Sequence, residues 1–140
     1  MEVTRITPRQ VVARLSQGQA VAFVDCRDEV TWRAGGWKVK NALRVQPRRL
    51  REDAGSVPRD GLVVVYADCE ATAARHAGTF RDLGWGNELA VLVGGFSAWS
   101  QARYPVEPVP TTRLRAFGRP AAAAEAEAAP VPGRPATSVA

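Results

Sequence analysis

The sequence predicts an α/β domain: a mostly parallel sheet flanked by helices on both faces and followed by an unfolded tail. Apolar runs of strand length recur at residues 20–25, 62–66 and 89–93. Segments with helical spacing lie between them, and near Pro105 the composition changes. Apolar strands separated by helices are the pattern of parallel pairing, because the helices cover both faces of the sheet.

The elements follow in order. Thr7-Pro8-Arg9-Gln10 is a helix start: Thr7 can cap, Pro8 suits the first turn, and Gln10 can close a capping box. Val11, Val12 and Leu15 then form an apolar stripe that Gly18 ends. Residues 20–25 follow as a strand. Residues 62–66 are rich in Val and read as a strand buried on both faces. The spacing of Ala73, Ala77, Phe80 and Leu83 predicts a helix over 71–83, ended by Gly84. Residues 89–93 form a third strand, and Gly94-Gly95 opens a short helix carrying Phe96 and Trp99. Ligands of such sheets bind beyond the carboxyl ends of the strands, so the places to search lie just after Asp25, Tyr66 and Val93.

The domain is expected over residues 1–108. Residues 109–140 contain ten Ala and five Pro, with Phe117 as the one aromatic. That composition buries too little apolar area to offset its ordering entropy, so the tail is expected to be disordered. With 140 residues, the chain suits one core better than two. No stretch approaches the roughly 20 apolar residues of a membrane helix, and the first residues carry no secretory pattern. A cytoplasmic location is the expectation, with no membrane partner. The net charge is +5, of which four Arg and two Glu place +2 in the tail. This permits affinity for anions, but no interleaving of aromatic and basic residues points to nucleic acid. Cys26, Cys69 and a single histidine make metal binding improbable, and no cofactor is implied.

Three segments together resemble the rhodanese-like (sulfurtransferase) family. Phe23-Val24-Asp25-Cys26-Arg27-Asp28 matches its Asp-x-Arg at the end of an early strand. Val63-Val64-Val65-Tyr66 matches the strand feeding its active-site loop, and Val91-Leu92-Val93-Gly94-Gly95-Phe96-Ser97-Ala98-Trp99 matches its closing segment. The resemblance covers about residues 4–108 and implies a parallel sheet of about five strands flanked by helices on both faces. It implies a cysteine nucleophile directly after the central strand, cradled by inward-facing amides at a helix N-terminus. It also implies a small sulfur-containing anion or a protein persulfide as donor. Asp25, Gly94, Gly95 and Trp99 match positions that build the scaffold, and Asp25 with Arg27 resembles the family's structural ion pair.

The sequence departs from that pattern at the decisive place. Ala67, 17 residues before the helix-ending Gly84, takes the position of the nucleophile. Thr72 falls where a loop arginine is common. Residues 37–42, Trp37-Lys38-Val39-Lys40-Asn41-Ala42, are a degraded form of another family segment. Cys69 is the remaining candidate, and three readings stay open. It is a displaced nucleophile, since Glu70-Ala71-Thr72 resembles a subgroup with a two-cysteine loop. In that case the backbone of Asp68, Glu70, Ala71, Thr72 and Ala73, with Arg75 or Arg27, would hold the anion, while the Glu70 charge would oppose the thiolate. Alternatively the domain is catalytically silent and uses its cleft for binding a protein partner or for regulation. The literal spacing Cys69-x5-Arg75 gives the third reading, phosphatase or arsenate reductase chemistry. Cys26 reads as a small buried residue, with a resolving thiol toward Cys69 as the alternative. His76, the four tryptophans and Arg48, Arg49 and Arg51 read as packed or solvated side chains.

Overall fold

The computed structural model describes residues 4–110. The expected tail therefore lies, from residue 111 on, outside the described residues. Strands β1 (Thr4–Ile6), β2 (Val21–Asp25), β4 (Leu43–Arg44), β5 (Leu62–Tyr66) and β6 (Glu88–Leu92) form a five-stranded sheet in the order β1-β6-β5-β2-β4. Each pairing in it is parallel. The chain crosses over through α1 (Pro8–Ser16), α2 (Glu29–Gly35), α3 (Leu50–Asp53) and α4 (Glu70–Asp82), and α5 (Gly95–Gln101) follows β6. Strands β3 (Trp37–Val39) and β7 (Val106–Pro108) pair as a separate two-stranded ribbon.

Helix α1 starts as its sequence dictates. The Thr7 hydroxyl accepts from the Gln10 amide at 3.1 Å, and the Gln10 side chain accepts from the Thr7 amide at 2.9 Å. Val11 is fully buried, but Leu15 is 44% exposed, because α1 ends one residue later and its last turn adds nothing to the core. Helix α4 begins at Glu70, one residue before the predicted start.

The core has two layers separated by β5, all of whose residues are buried. Val63 and Val65 face Ala73, Ala77 and Phe80 of α4, with Leu50, Ala54 and Trp85. On the other face Leu62, Val64 and Tyr66 pack with Val11, Phe23 and Trp99. The Phe23 and Trp99 rings meet edge to face at 4.9 Å, and the Trp99 indole donates to the Pro105 carbonyl at 2.7 Å. Elements β1, α2, α3, β3, β4 and β7 have no counterpart in the sequence reading. They span two to seven residues, too few for a periodic signal, and α2 contains no fully buried residue.

Gly94 shows how tightly the β6–α5 turn is built. Its φ is 77°, and a Cβ there would lie 2.5 Å from the Cβ of Ala98. Gly94→Ala is expected to lower stability by about 2 kcal/mol or more, read as a lower urea midpoint. Gly78, inside α4 with nothing within 4 Å of its would-be Cβ, makes the contrast: Gly78→Ala should raise the midpoint, by about 0.5–1 kcal/mol.

Candidate functional site

The carboxyl edge of the sheet carries a row of polar side chains in register. Asp25 stands opposite Tyr66 on one neighbouring strand and Arg44 on the other. Asp25 is fully buried, and a carboxylate there persists only if paired and hydrogen-bonded. Arg27 grips it through Nε at 3.1 Å and Nη2 at 2.7 Å, its backbone amide donates at 3.0 Å, and the Tyr66 hydroxyl donates at 3.0 Å. The Tyr66 oxygen in turn accepts from the Val39 amide at 3.1 Å. Arg27 Nη2 also donates to the Trp37 carbonyl at 2.8 Å, and its guanidinium lies 4.7 Å from the centre of the Phe96 ring. Burial and the Asp25 charge hold the Tyr66 hydroxyl protonated, its pKa well above the ordinary value. The same two causes push the buried Cys26 thiol up to about 12.

Beyond Tyr66 the loop turns outward into α4. Ala67 is buried, and its methyl belongs to the α4-side core. Asp68 is exposed and accepts from the Asp28 amide at 3.2 Å, linking this loop to the start of α2. Cys69 occupies the N-cap of α4 in extended conformation, exposed to solvent. Its Sγ lies 3.3 Å from the Thr72 hydroxyl. No backbone amide meets the sulfur in full hydrogen-bond geometry, yet the first turn faces it. The Thr72 hydroxyl, then the Thr72 and Ala71 amides, lower the Cys69 pKa against slight desolvation and the Asp68 charge. A thiol at a helix N-terminus gains thiolate character by this means.

The expected site residues separate into two groups. Asp68, Ala71 and Thr72 lie beside the Cys69 sulfur. The side chains of Glu70, Ala73, Arg75 and Arg27 do not meet it. The Ala73 amide donates to the Cys69 carbonyl at 3.0 Å and its side chain is buried. Arg27 is occupied by Asp25 and Trp37. Arg75 is exposed on α4, and the residues between it and Cys69 are helical, so their amides do not converge on a point as a phosphate loop requires. Glu70 does something its sequence position did not reveal. One carboxylate oxygen accepts from the Gly94 amide at 2.8 Å and the other pairs with Arg5. Its charge is thereby spent on β1 and the β6–α5 turn rather than on the thiol. Gly95 backs the loop, its would-be Cβ lying 3.8 Å from the Ala67 carbonyl. Among the described residues, no group of three or more His, Cys, Asp or Glu could hold a metal ion. Nor is any helix long and apolar enough to cross a membrane.

The family model of the rhodanese-like domain matches residues 7–102. The chain belongs to the rhodanese-like family. Solved structures agree with the rhodanese-like fold. The rhodanese-like domain of an Anabaena protein has 21% identity and a TM-score of 0.64 over 78% of this chain and 81% of its own. A thiosulfate sulfurtransferase from Pseudomonas aeruginosa has 27% identity and a TM-score of 0.65 over 89% of this chain and 23% of its own. A Rhodopseudomonas palustris protein of unknown function, possible tyrosine phosphatase, has 23% identity and a TM-score of 0.57 over 75% and 85%. No curated protein matches the sequence.

Within this rhodanese-like domain the two thiols should behave oppositely. Iodoacetamide is expected to alkylate Cys69 in the folded protein and Cys26 only after unfolding, as peptide mass mapping would show. Thiolate is the reactive form, so the rate–pH curve of Cys69 should reach half-height below that of free cysteine, and Thr72→Val should move it upward. Asp25→Asn leaves Arg27 without its buried counter-charge. A stability loss of about 3 kcal/mol or more is expected by denaturant unfolding.

Proposed function

We propose that this domain is a sulfane-sulfur carrier in which Cys69 accepts and passes on a single sulfur atom. The observation that carries this reading is the exposed Cys69 Sγ at the N-cap of α4, 3.3 Å from the Thr72 hydroxyl and with its pKa lowered. The likeness to a thiosulfate sulfurtransferase supports the same chemistry.

In the reaction, the Cys69 thiolate attacks the outer sulfur of a donor persulfide. The bond between the donor's two sulfurs breaks, and the inner sulfur leaves as a thiolate with the bonding pair. The outer sulfur, with its proton, is then a persulfide on Cys69. A second nucleophile, cyanide or an acceptor thiolate, attacks that sulfur and Cys69 departs as thiolate. The Thr72 hydroxyl and the first-turn amides of α4 stabilise negative charge on sulfur at both stages. Glu70 does not oppose this, because Arg5 and the Gly94 amide hold its carboxylate. Asp68 stands beside the thiol and raises its pKa, so it also repels a small dianion. That favours a cysteine-type persulfide over thiosulfate as donor.

A binding module without sulfur transfer is the second reading, favoured by the buried Ala67 at the nucleophile position. Intact mass spectrometry separates the two. After incubation with glutathione persulfide, a gain of about 32 Da, one sulfur atom, is expected, with a slower gain from thiosulfate. Cys69→Ser should abolish the gain and the release of thiocyanate from cyanide, with its circular dichroism spectrum unchanged. A wild-type protein that gains no mass from either donor would establish the binding module instead.

A further inference from the structure

We infer that the free edge of the Arg44 guanidinium and the indole N–H of Trp32 form an anion site, separate from Cys69, for a small oxyanion. Arg44 is held from one side. Its Nη1 donates to the Arg27 carbonyl at 2.5 Å and the Asp25 carbonyl at 3.3 Å, and its guanidinium carbon lies 4.4 Å from the centre of the Trp32 ring. On the other side, Nε and Nη2 are buried and meet no acceptor among the described residues. Trp32 Nε1 likewise has no partner, so these two neighbouring side chains hold three of the four such atoms found among the described residues.

The three atoms share one chemistry. All are donors and none can accept. Leaving a buried donor unmet carries a desolvation cost, larger when the donor is charged. The Nε/Nη2 edge is also the edge with which Arg27 takes the Asp25 carboxylate, so the fold already shows what fits it. A water molecule could meet these donors only as a neutral acceptor, whereas an oxyanion brings several acceptors together with the countercharge that a guanidinium lacks here.

Charge points the same way. Asp25 is the one fully buried carboxylate in the cluster, and Arg27 and Tyr66 already occupy it at 2.7 and 3.0 Å. Arg44 reaches it only at 3.8 Å. Two guanidiniums therefore share one carboxylate, which leaves one positive charge. Asp28 and Asp68 stand on the adjoining loops. Both are exposed, with oxygens committed to the Thr31 and Asp28 amides. Helix α2 carries Trp32 and has no fully buried residue. Trp32 and Arg44 are themselves only partly buried, so the pair lies near the surface.

The test is a side-chain nitrogen NMR titration with sulfate and with acetate, against chloride at constant ionic strength. Saturable shifts of the Trp32 indole and Arg44 Nε resonances are expected, and the stronger of the two anions tells whether the site suits a tetrahedral or a planar oxyanion. Arg44→Lys keeps the charge but loses the fork, and Trp32→Phe keeps a ring but loses the N–H. Each should weaken binding about tenfold or more while leaving the Cys69 alkylation rate unchanged. Shifts that fail to saturate, or binding undiminished in Trp32→Phe, would overturn the site, and that variant decides even if Arg44→Lys fails to fold.

Discussion

The carboxylate of Asp25 has no contact with solvent, and the carboxyl edge of the sheet is arranged around that constraint. A buried charge of this kind costs several kcal/mol unless its lone pairs and its charge are both answered. Here the answer comes from the next residue but one, Arg27, and from Tyr66 on the adjacent strand. Tyr66 and Arg27 then engage the backbone of Val39 and Trp37, which fixes the segment after α2. Arg44, on the far side, ties its own strand to the carbonyls of Asp25 and Arg27. One carboxylate thus sets the relative positions of β2, β4, β5 and the β3 segment.

This cluster also divides the chemistry of the two cysteines. Cys26 follows Asp25 directly, so burial and a neighbouring negative charge keep its proton on. Cys69 lies where the chain leaves the sheet, with a helix start and a hydroxyl facing its sulfur. The same functional group is thus pushed toward thiol in one place and toward thiolate in the other, and environment alone separates them. A resolving role for Cys26 would require its buried thiol both to deprotonate and to reach the surface, and its surroundings oppose each step.

Fold and chemistry are distinct levels of resemblance in this family member. The five-stranded parallel sheet agrees with the family's fold, whereas the residue-by-residue resemblance puts Ala67, not a cysteine, at the expected nucleophile position. What remains at the rim is an exposed thiol, an acidic neighbour in Asp68, and a carboxylate in Glu70 that serves as a tie between the loop, β1 and the β6–α5 turn. Under the proposed sulfur-carrier reading, such a site would gain its charge stabilisation from one helical turn rather than from a closed ring of amides.

The sequence by itself determined the fold class, the three long strands, the capped first helix and the membership in the family. Each is encoded locally, by apolar periodicity, by a capping box three residues apart, or by short motifs in order. It also located Asp25 and the loop after Tyr66. Tertiary structure alone decided which side chains meet. Asp25, Tyr66 and Arg44 become neighbours only because β2 pairs with β5 on one side and β4 on the other. Glu70 finds Gly94 and Arg5 only because β6 lies between β5 and β1. Periodicity reports how deeply a residue is buried, but a pairing between charges 19 to 65 residues apart depends on strand order, and no local pattern carries that information.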